Sequence, residues 1–259
     1  NIGSPETIYS HLDRTTEETK KLTSLGLGVD YLDEHNVQLN YFKIEDETQE
    51  ATITLSHDSN NTLQEGRQRV AYDTRFQDRT LEITQVLGEH TFSQFNNDYL
   101  NDIKVDWIYS DSTVETFIPG ASNVTGTNQL NPETGELIST AVNGQSAAQF
   151  SYLNLNDEVR SYGWNLTLPL TLGDKEVTLK GGYEYNDKAR QYNGHTALIN
   201  FGGGSFLQGT PDQVLSDANV LDTTTNMELA MSRGFGTESY AAAQMLDAFY
   251  GMVDVAWND

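Results

Sequence analysis

Apolar and polar residues alternate through several stretches of this chain, and each stretch closes on a turn. In one, Leu25, Leu27, Val29 and Tyr31 oppose Ser24, Gly26, Gly28 and Asp30. In a second, Ile103, Val105, Trp107 and Tyr109 point one way, and Asp102, Lys104, Asp106 and Ser110 point the other. A third sets Tyr162, Trp164, Leu166, Leu168, Leu170 and Leu172 against Gly163, Asn165, Thr167 and Thr171. A fourth sets Val177, Leu179, Tyr183 and Tyr185 against Thr178, Lys180, Gly182 and Glu184. A period of two is the mark of a strand with one apolar and one wet face. Each stretch runs for about ten residues, close to the 9–11 that a tilted strand needs to cross a bilayer. The pattern predicts an all-β chain: an antiparallel, up-and-down segment of a transmembrane β-barrel.

About seven strands are expected along the chain, at residues 23–32, 37–55, 71–92, 99–109, 159–172, 176–185 and 241–257. Residues 1–20 are polar, with a short helix expected around Glu17 to Leu22. The alternation slips after Tyr41, which predicts a bulge there. Long polar loops are expected at 56–74, 117–155 and 195–238, the last with a short helix near Pro211 to Asn219. The remaining connections are tight: Asp33 to Asn36, Ser93 to Asp98, and Gly173-Asp174-Lys175. Short connections alternate strictly with long ones, as in outer-membrane barrels with short periplasmic turns and long outer loops.

Aromatic residues fall near the strand ends. Tyr31, Tyr99 and Trp257 lie by the short turns. Trp107, Tyr109, Tyr162, Trp164, Tyr183 and Tyr185 complete an expected pair of girdles at the two lipid–water boundaries. Asp102, Lys104, Asp106, Lys180 and Glu184 are expected to line a hydrated lumen.

Composition agrees with a sheet that lacks a large dry core. Hydrophobic residues make up 37% of the 259 residues, below the roughly 45–50% of a globular chain. A barrel needs apolar side chains only on the lipid face. The net charge of −23 argues against a nucleic-acid partner, because phosphate binding needs clustered Lys and Arg. With no cysteine there is no disulfide, thiolate metal site or Cys nucleophile. No run of about eighteen apolar residues predicts a membrane helix. The residues at the start, Asn1 to Pro5, are not a signal peptide, and the chain reads as part of a larger protein.

Three segments carry a family resemblance. Arg75 to Phe92 is similar to a strand returning from an outer loop of TonB-dependent outer-membrane receptors. Asp157 to Leu170, with Leu179 to Tyr185, resembles a hairpin of that family. Glu238-Ser239-Tyr240-Ala241 through Ala248 to Val255 resembles a strand with an Ala-rich entry and an aromatic step. The resemblance covers most of residues 22–257. It implies a section of a barrel of about twenty-two strands, taken from a receptor with a plug domain and a TonB box. It further implies uptake of a scarce nutrient, such as a siderophore-bound iron, a cobalamin, a glycan or a peptide. The partners implied are outer-membrane lipid, the TonB complex through a plug, and a small nutrient ligand.

The alternative is a soluble, secreted β-rich binding module, such as an adhesin or a glycan-binding domain. A hydrolase is the weakest reading, because carboxylate pairs are everywhere in so acidic a chain. No catalytic, cofactor or metal residues are expected. His11, His35, His57, His90 and His195 show no ligand spacing. His35 is expected in a turn and His90 on the lumen face. Gly202-Gly203-Gly204-Ser205 lacks the lysine and the strand-to-helix setting of a phosphate cradle.

Overall fold

The computed structural model describes residues 9–58, 60–143, 147–202, 206–231 and 239–257. Seven long strands follow one another across an antiparallel sheet: β1 (Tyr9–Tyr31), β2 (His35–His57), β3 (Arg67–Phe92), β4 (Ile103–Leu130), β6 (Ala148–Leu172), β7 (Lys175–Phe201) and β10 (Tyr240–Trp257). Three short strands join them: β5 (Leu137–Asn143) pairs with β4, β8 (Phe206–Gln208) with β5, and β9 (Met227–Met231) with β7. The described sheet therefore has ten strands, not about seven, and β1 and β10 remain its two unjoined edges.

Three connections gather at one end. Leu32 and Asp33 have φ of 56° and 55°, and the Glu34 amide donates to the Tyr31 carbonyl at 3.3 Å. This is a type I′ turn, whose twist suits a hairpin. Gly173, at φ 68°, opens the two-residue turn between Leu172 and Lys175. Between β3 and β4, Asn97 accepts from the Tyr99 and Leu100 amides. The opposite end holds the longer connections, with α1 (Pro211–Val214) and α2 (Asp217–Val220) inside the last one.

The strands are far longer than the amphipathic stretches that announce them. Residues 10–22, expected to be polar with a helix, belong to β1, paired without a break from Tyr9↔His57 to Tyr31↔His35. Isolated helical propensity is weak, and pairing along a full neighbouring strand overrides it. The segments expected as loops at 56–74, 117–155 and 195–238 contribute the start of β3, the ends of β4 and β7, the start of β6, and all of β5, β8, α1, α2 and β9. No bulge follows Tyr41, since both ladders of β2 run through it in register.

The bulge lies on β4 instead, at Pro119-Gly120. Two β4 positions there oppose the single β6 residue Tyr152, between Ile118↔Leu153 and Ala121↔Ser151, so β4 carries one extra residue. The β3 ladder shifts at the same level, between Thr74 and Asp78. Proline cannot donate to a ladder and an extra residue bends the strand. The bulge also exchanges the two faces. Below it, odd-numbered β4 residues share the face of Trp107; above it, even-numbered ones do. Pro169 in β6 marks a second interruption. Its carbonyl accepts from Asn101 at 3.0 Å, so its missing N–H also faces the β4 side. The β4–β6 ladder stops there, at Lys104↔Thr167, and resumes as a single bridge at Leu100↔Leu170.

The dry core sits at the long-connection end. Tyr72, Val124, Ala148 and Ile199 stand in one cross-strand row. Val142, Phe201 and Val214 complete the cluster with Val124, Ala148 and Ile199, and Leu207 and Met227 pack at its margin. Val124→Ala should remove most of that side chain's burial from this cluster. Losing one buried Val costs about 1.5–3 kcal/mol. The expected result is faster hydrogen exchange in β5 and α1, with protection of the β4 segment at Ile103 to Tyr109 unchanged.

Candidate functional site

An apolar band crosses one face of the sheet beside the tight turns. Because residues directly opposite share a face, the register alone assembles it. Val29, Val37, Gly88, Trp107, Trp164, Tyr183 and Phe249 form one row across all seven long strands. The row nearer the long connections holds Leu27, Leu39, Val86, Tyr109, Tyr162 and Tyr185. On β6 the band runs from Leu172 through Leu170, Leu168, Leu166 and Trp164 to Tyr162, and then meets Arg160. Charges close it there: Arg160 pairs with Asp111 at 3.2 Å, and in the next row of the same face Lys43 pairs with Glu82 at 3.4 Å. The band is open to its surroundings, with Val29 69% and Phe249 78% exposed.

The aromatic residues anticipated from sequence enter this band at two levels. Tyr109, Tyr162 and Tyr185 are neighbours in one row, and the Tyr162 and Tyr185 rings stack at 4.8 Å. Trp107, Trp164 and Tyr183 lie one row nearer the turns. Tyr31 ends β1 at the turn, and Tyr99 precedes β4. Trp257 ends β10, and its side chain lies outside the described residues.

Trp107 has a specific seat. A Cβ on Gly88 would stand 2.5 Å from the indole, so only glycine lets the ring lie across β3. The indole Nε1 then donates to His90 Nε2 at 3.0 Å, and His90 Nδ1 meets His35 Nδ1 at 3.3 Å. Since Trp donates only, neutral His90 carries its proton on Nδ1 and passes a hydrogen bond to His35. His90 is therefore on the apolar face, a correction to its expected lumen position. It stands two positions from Gly88, with Glu89 alone between them, which keeps it on the same side. His35 belongs to β2, immediately after the turn.

The opposite face is polar. Asp106 accepts from the Asn165 amide, and Asn165 Oδ1 accepts from the Tyr250 hydroxyl at 2.6 Å. Gly182 makes room, because a Cβ there would stand 2.5 Å from both Asn165 Oδ1 and Tyr250. Lys104 and Lys180 flank Thr167 in the next row, and Glu184 faces Gly163. Asp102 lies in the turn before β4, where Asn96 donates to it at 2.6 Å. Higher on this face, Arg190 grips Asp157 through Nε at 2.6 Å and a terminal nitrogen at 2.5 Å. That hydrogen bond and the guanidinium charge hold the Asp157 carboxyl below its ordinary value.

Near the long connections the polar face bears an open cavity of about 330 Å³, bounded by Arg14, Glu50, Thr52, Asp73, Asn123 and Ser151 among others. Arg14 reaches Thr52 at 3.3 Å and Glu50 at 3.6 Å. Asn123 donates to Asp73 at 2.6 Å, and Ser151 meets Thr196 at 3.2 Å. These groups offer mixed hydrogen-bond donors and acceptors to a polar solute. Sequence reasoning missed every one of them, because Arg14 lay in a segment expected outside the sheet and Asn123 and Ser151 in an expected loop. It also missed Gly88 and Gly182, which the opposite-strand register alone pairs with Trp107 and Asn165. Among the described residues no group of three or more His, Asp or Glu side chains is placed to hold a metal ion, and no helix is long and apolar enough to cross a membrane.

Two outcomes follow from these contacts. Gly88→Val should drive the Trp107 ring off β3, cost about 1–3 kcal/mol as an overpacked site, and abolish the indole hydrogen bond to His90 seen by NMR. For Asp157, the folded carboxyl titrates below the unfolded value of about 3.9. Its contribution to stability is thus present above that pH and lost as pH falls through the lower folded value. Denaturant midpoints of the parent chain and Asp157→Asn should differ at pH 7 and converge below the ordinary carboxylate range.

No protein-family model matches the chain, and no curated protein matches it.

Proposed function

We propose that the chain is a section of a TonB-dependent outer-membrane receptor barrel that takes up a scarce nutrient. The observation that carries this reading is the apolar band spanning all seven long strands, bounded by tight turns on one side and by charged residues on the other. An outward apolar band about 25 Å tall with aromatic margins is what lipid requires of a barrel wall. Backbone groups in hydrocarbon must be satisfied within the sheet, and long antiparallel ladders do this.

Strand length fits the same reading. The long strands have 18 to 28 residues, whereas about 9–11 cross a bilayer. In the proposal the half beside the tight turns lies in the membrane and the other half projects outward. The polar face lines a hydrated lumen, with Asp106, Asn165, Lys104, Lys180 and Glu184 on its wall. The projecting polar cavity would meet the ligand, a siderophore-bound iron, cobalamin, glycan or peptide. Its mechanism is binding and gated passage without covalent chemistry. Coupling to the TonB complex would run through a plug domain outside these residues.

Leu168→Lys and Trp107→Lys should each block assembly, at a cost of roughly 2–4 kcal/mol near the midplane. Thr178→Lys, on the polar face opposite Asp254, should assemble normally. Outer-membrane flotation and detergent-dependent release of the product, from cells expressing the gene that encodes the chain, provide the readout. Release into aqueous buffer, or normal assembly of both apolar-face variants, would overturn the proposal in favour of a soluble secreted binding module.

A further inference from the structure

A second group of exposed aromatic residues stands on the same face as the apolar band, beyond the charged rows that close it. Phe117 opposes Asn154, which opposes Asn193. In the next row toward the long connections, the Pro119-Gly120 bulge opposes Tyr152, which opposes His195. The Tyr152 and His195 rings lie nearly parallel, with centroids 4.9 Å apart and 14° between their planes. Phe117 is 48% and Tyr152 39% exposed, and Asn154, Asn193 and His195 are exposed as well.

Two features go beyond an ordinary cross-strand aromatic pair. The first is Gly120. Its φ lies outside the left-handed region, so the backbone there does not call for glycine. A Cβ at Gly120 would meet only the hydroxyl end of the Tyr152 ring, at 3.7–4.0 Å. The missing side chain therefore leaves the flank of that ring open, beside the bent strand. The second is the state of the polar groups. Among the described residues, the Asn154 and Asn193 amides, the Tyr152 hydroxyl and the His195 ring have no hydrogen-bond partner. Both amides offer donors and an acceptor together. In the rows nearer the band, by contrast, Arg160 is already paired with Asp111 and Lys43 with Glu82.

Flat apolar rings edged by free amides match a pyranose, whose C–H face stacks on an aromatic ring while its hydroxyls take hydrogen bonds at the rim. Charge narrows the class. The described residues of the Phe117 and Tyr152 rows carry no Lys or Arg on this face, and Glu47 and Asp78 stand in the Phe117 row. Phosphates and carboxylates would meet repulsion with no cation to hold them. We infer that Phe117, Tyr152, His195, Asn154 and Asn193 form a binding surface for a neutral polysaccharide, with one sugar ring seated against Tyr152 over Gly120. The surface is separate from the polar cavity, because Ser151, next to Tyr152 on β6, lines that cavity from the opposite face. It binds a glycan from the surroundings of the wall, not cargo inside it. The inference does not depend on the barrel reading, since this face is exposed in a secreted module too.

The test is calorimetric titration of the chain in detergent micelles with cellohexaose, maltohexaose and hexagalacturonate. Saturable binding of at least one neutral hexamer is expected, with the acidic hexamer bound at least about tenfold more weakly. Tyr152→Ala should weaken the neutral hexamer by about tenfold, the worth of one aromatic stack. Tyr152→Phe, which keeps the ring, should weaken it less. Gly120→Leu, which fills the open flank, should act like Tyr152→Ala while the ring remains. Hydrogen-exchange protection of β4 and β6 in each variant certifies the sheet. Binding of neither neutral hexamer overturns the inference, as does equal binding of hexagalacturonate or binding that Tyr152→Ala leaves unchanged. A loss of self-association in Tyr152→Ala, without any sugar binding by the parent chain, overturns it in favour of an interface between copies. Flotation of the cellular product reports the barrel reading separately.

Discussion

Register between neighbouring strands governs this molecule. Through the rows of Trp107 and Tyr109 the ladders run unshifted from β1 to β10, so the apolar residues of those rows stand beside one another on the same face. A slip of one residue in any ladder would exchange that strand's faces. Trp107 would leave Gly88, and Asn165 would leave Asp106 and Tyr250. The two glycines show how closely the register is specified, since each is open on one side only where a large neighbour lies across it. Side chains fix register, and register in turn builds a surface wider than any single strand.

The sheet is divided along its strands into two physical regimes. Beside the tight turns, one face is continuously apolar and the other polar, with little of either buried. Beyond Arg160 and Asp111 the apolar face turns charged, and the chain covers part of itself. There β5, β8 and α1 bury Val142, Val214 and Phe201 in the molecule's dry cluster. The first regime suits a surrounding that supplies its own apolar contact. The second suits water, where the protein must supply that contact itself. The change from one to the other occurs within single strands.

The bulge at Pro119-Gly120 lets one strand serve both regimes. It exchanges the faces of β4, so that Val124 joins the cluster while Ala121 and Asn123 turn to the polar side. On the polar side the same turnover brings Asn123 to Asp73 and helps close the cavity around Arg14 and Thr52. A local irregularity thus connects the buried cluster on one face with the candidate ligand cavity on the other.

A period of two is a local signal wherever one face alone is apolar, so the strand class, the tight turns and the two faces of the band are legible residue by residue. The alternation on β6 needs no partner to be read, because Tyr162 to Leu172 announce their own face. A short helix near Pro211 to Asn219 is legible too, where the structure forms two, α1 and α2. Other features exist only in the assembled sheet. Residues 10–22 are polar on both faces, and only continuous pairing with β2 makes them strand. Beyond Phe117 the bulge breaks the period, so β4 there reads as loop. Cross-strand neighbours such as Gly88 with Trp107, or Arg14 with Thr52, are remote in sequence and meet only through register.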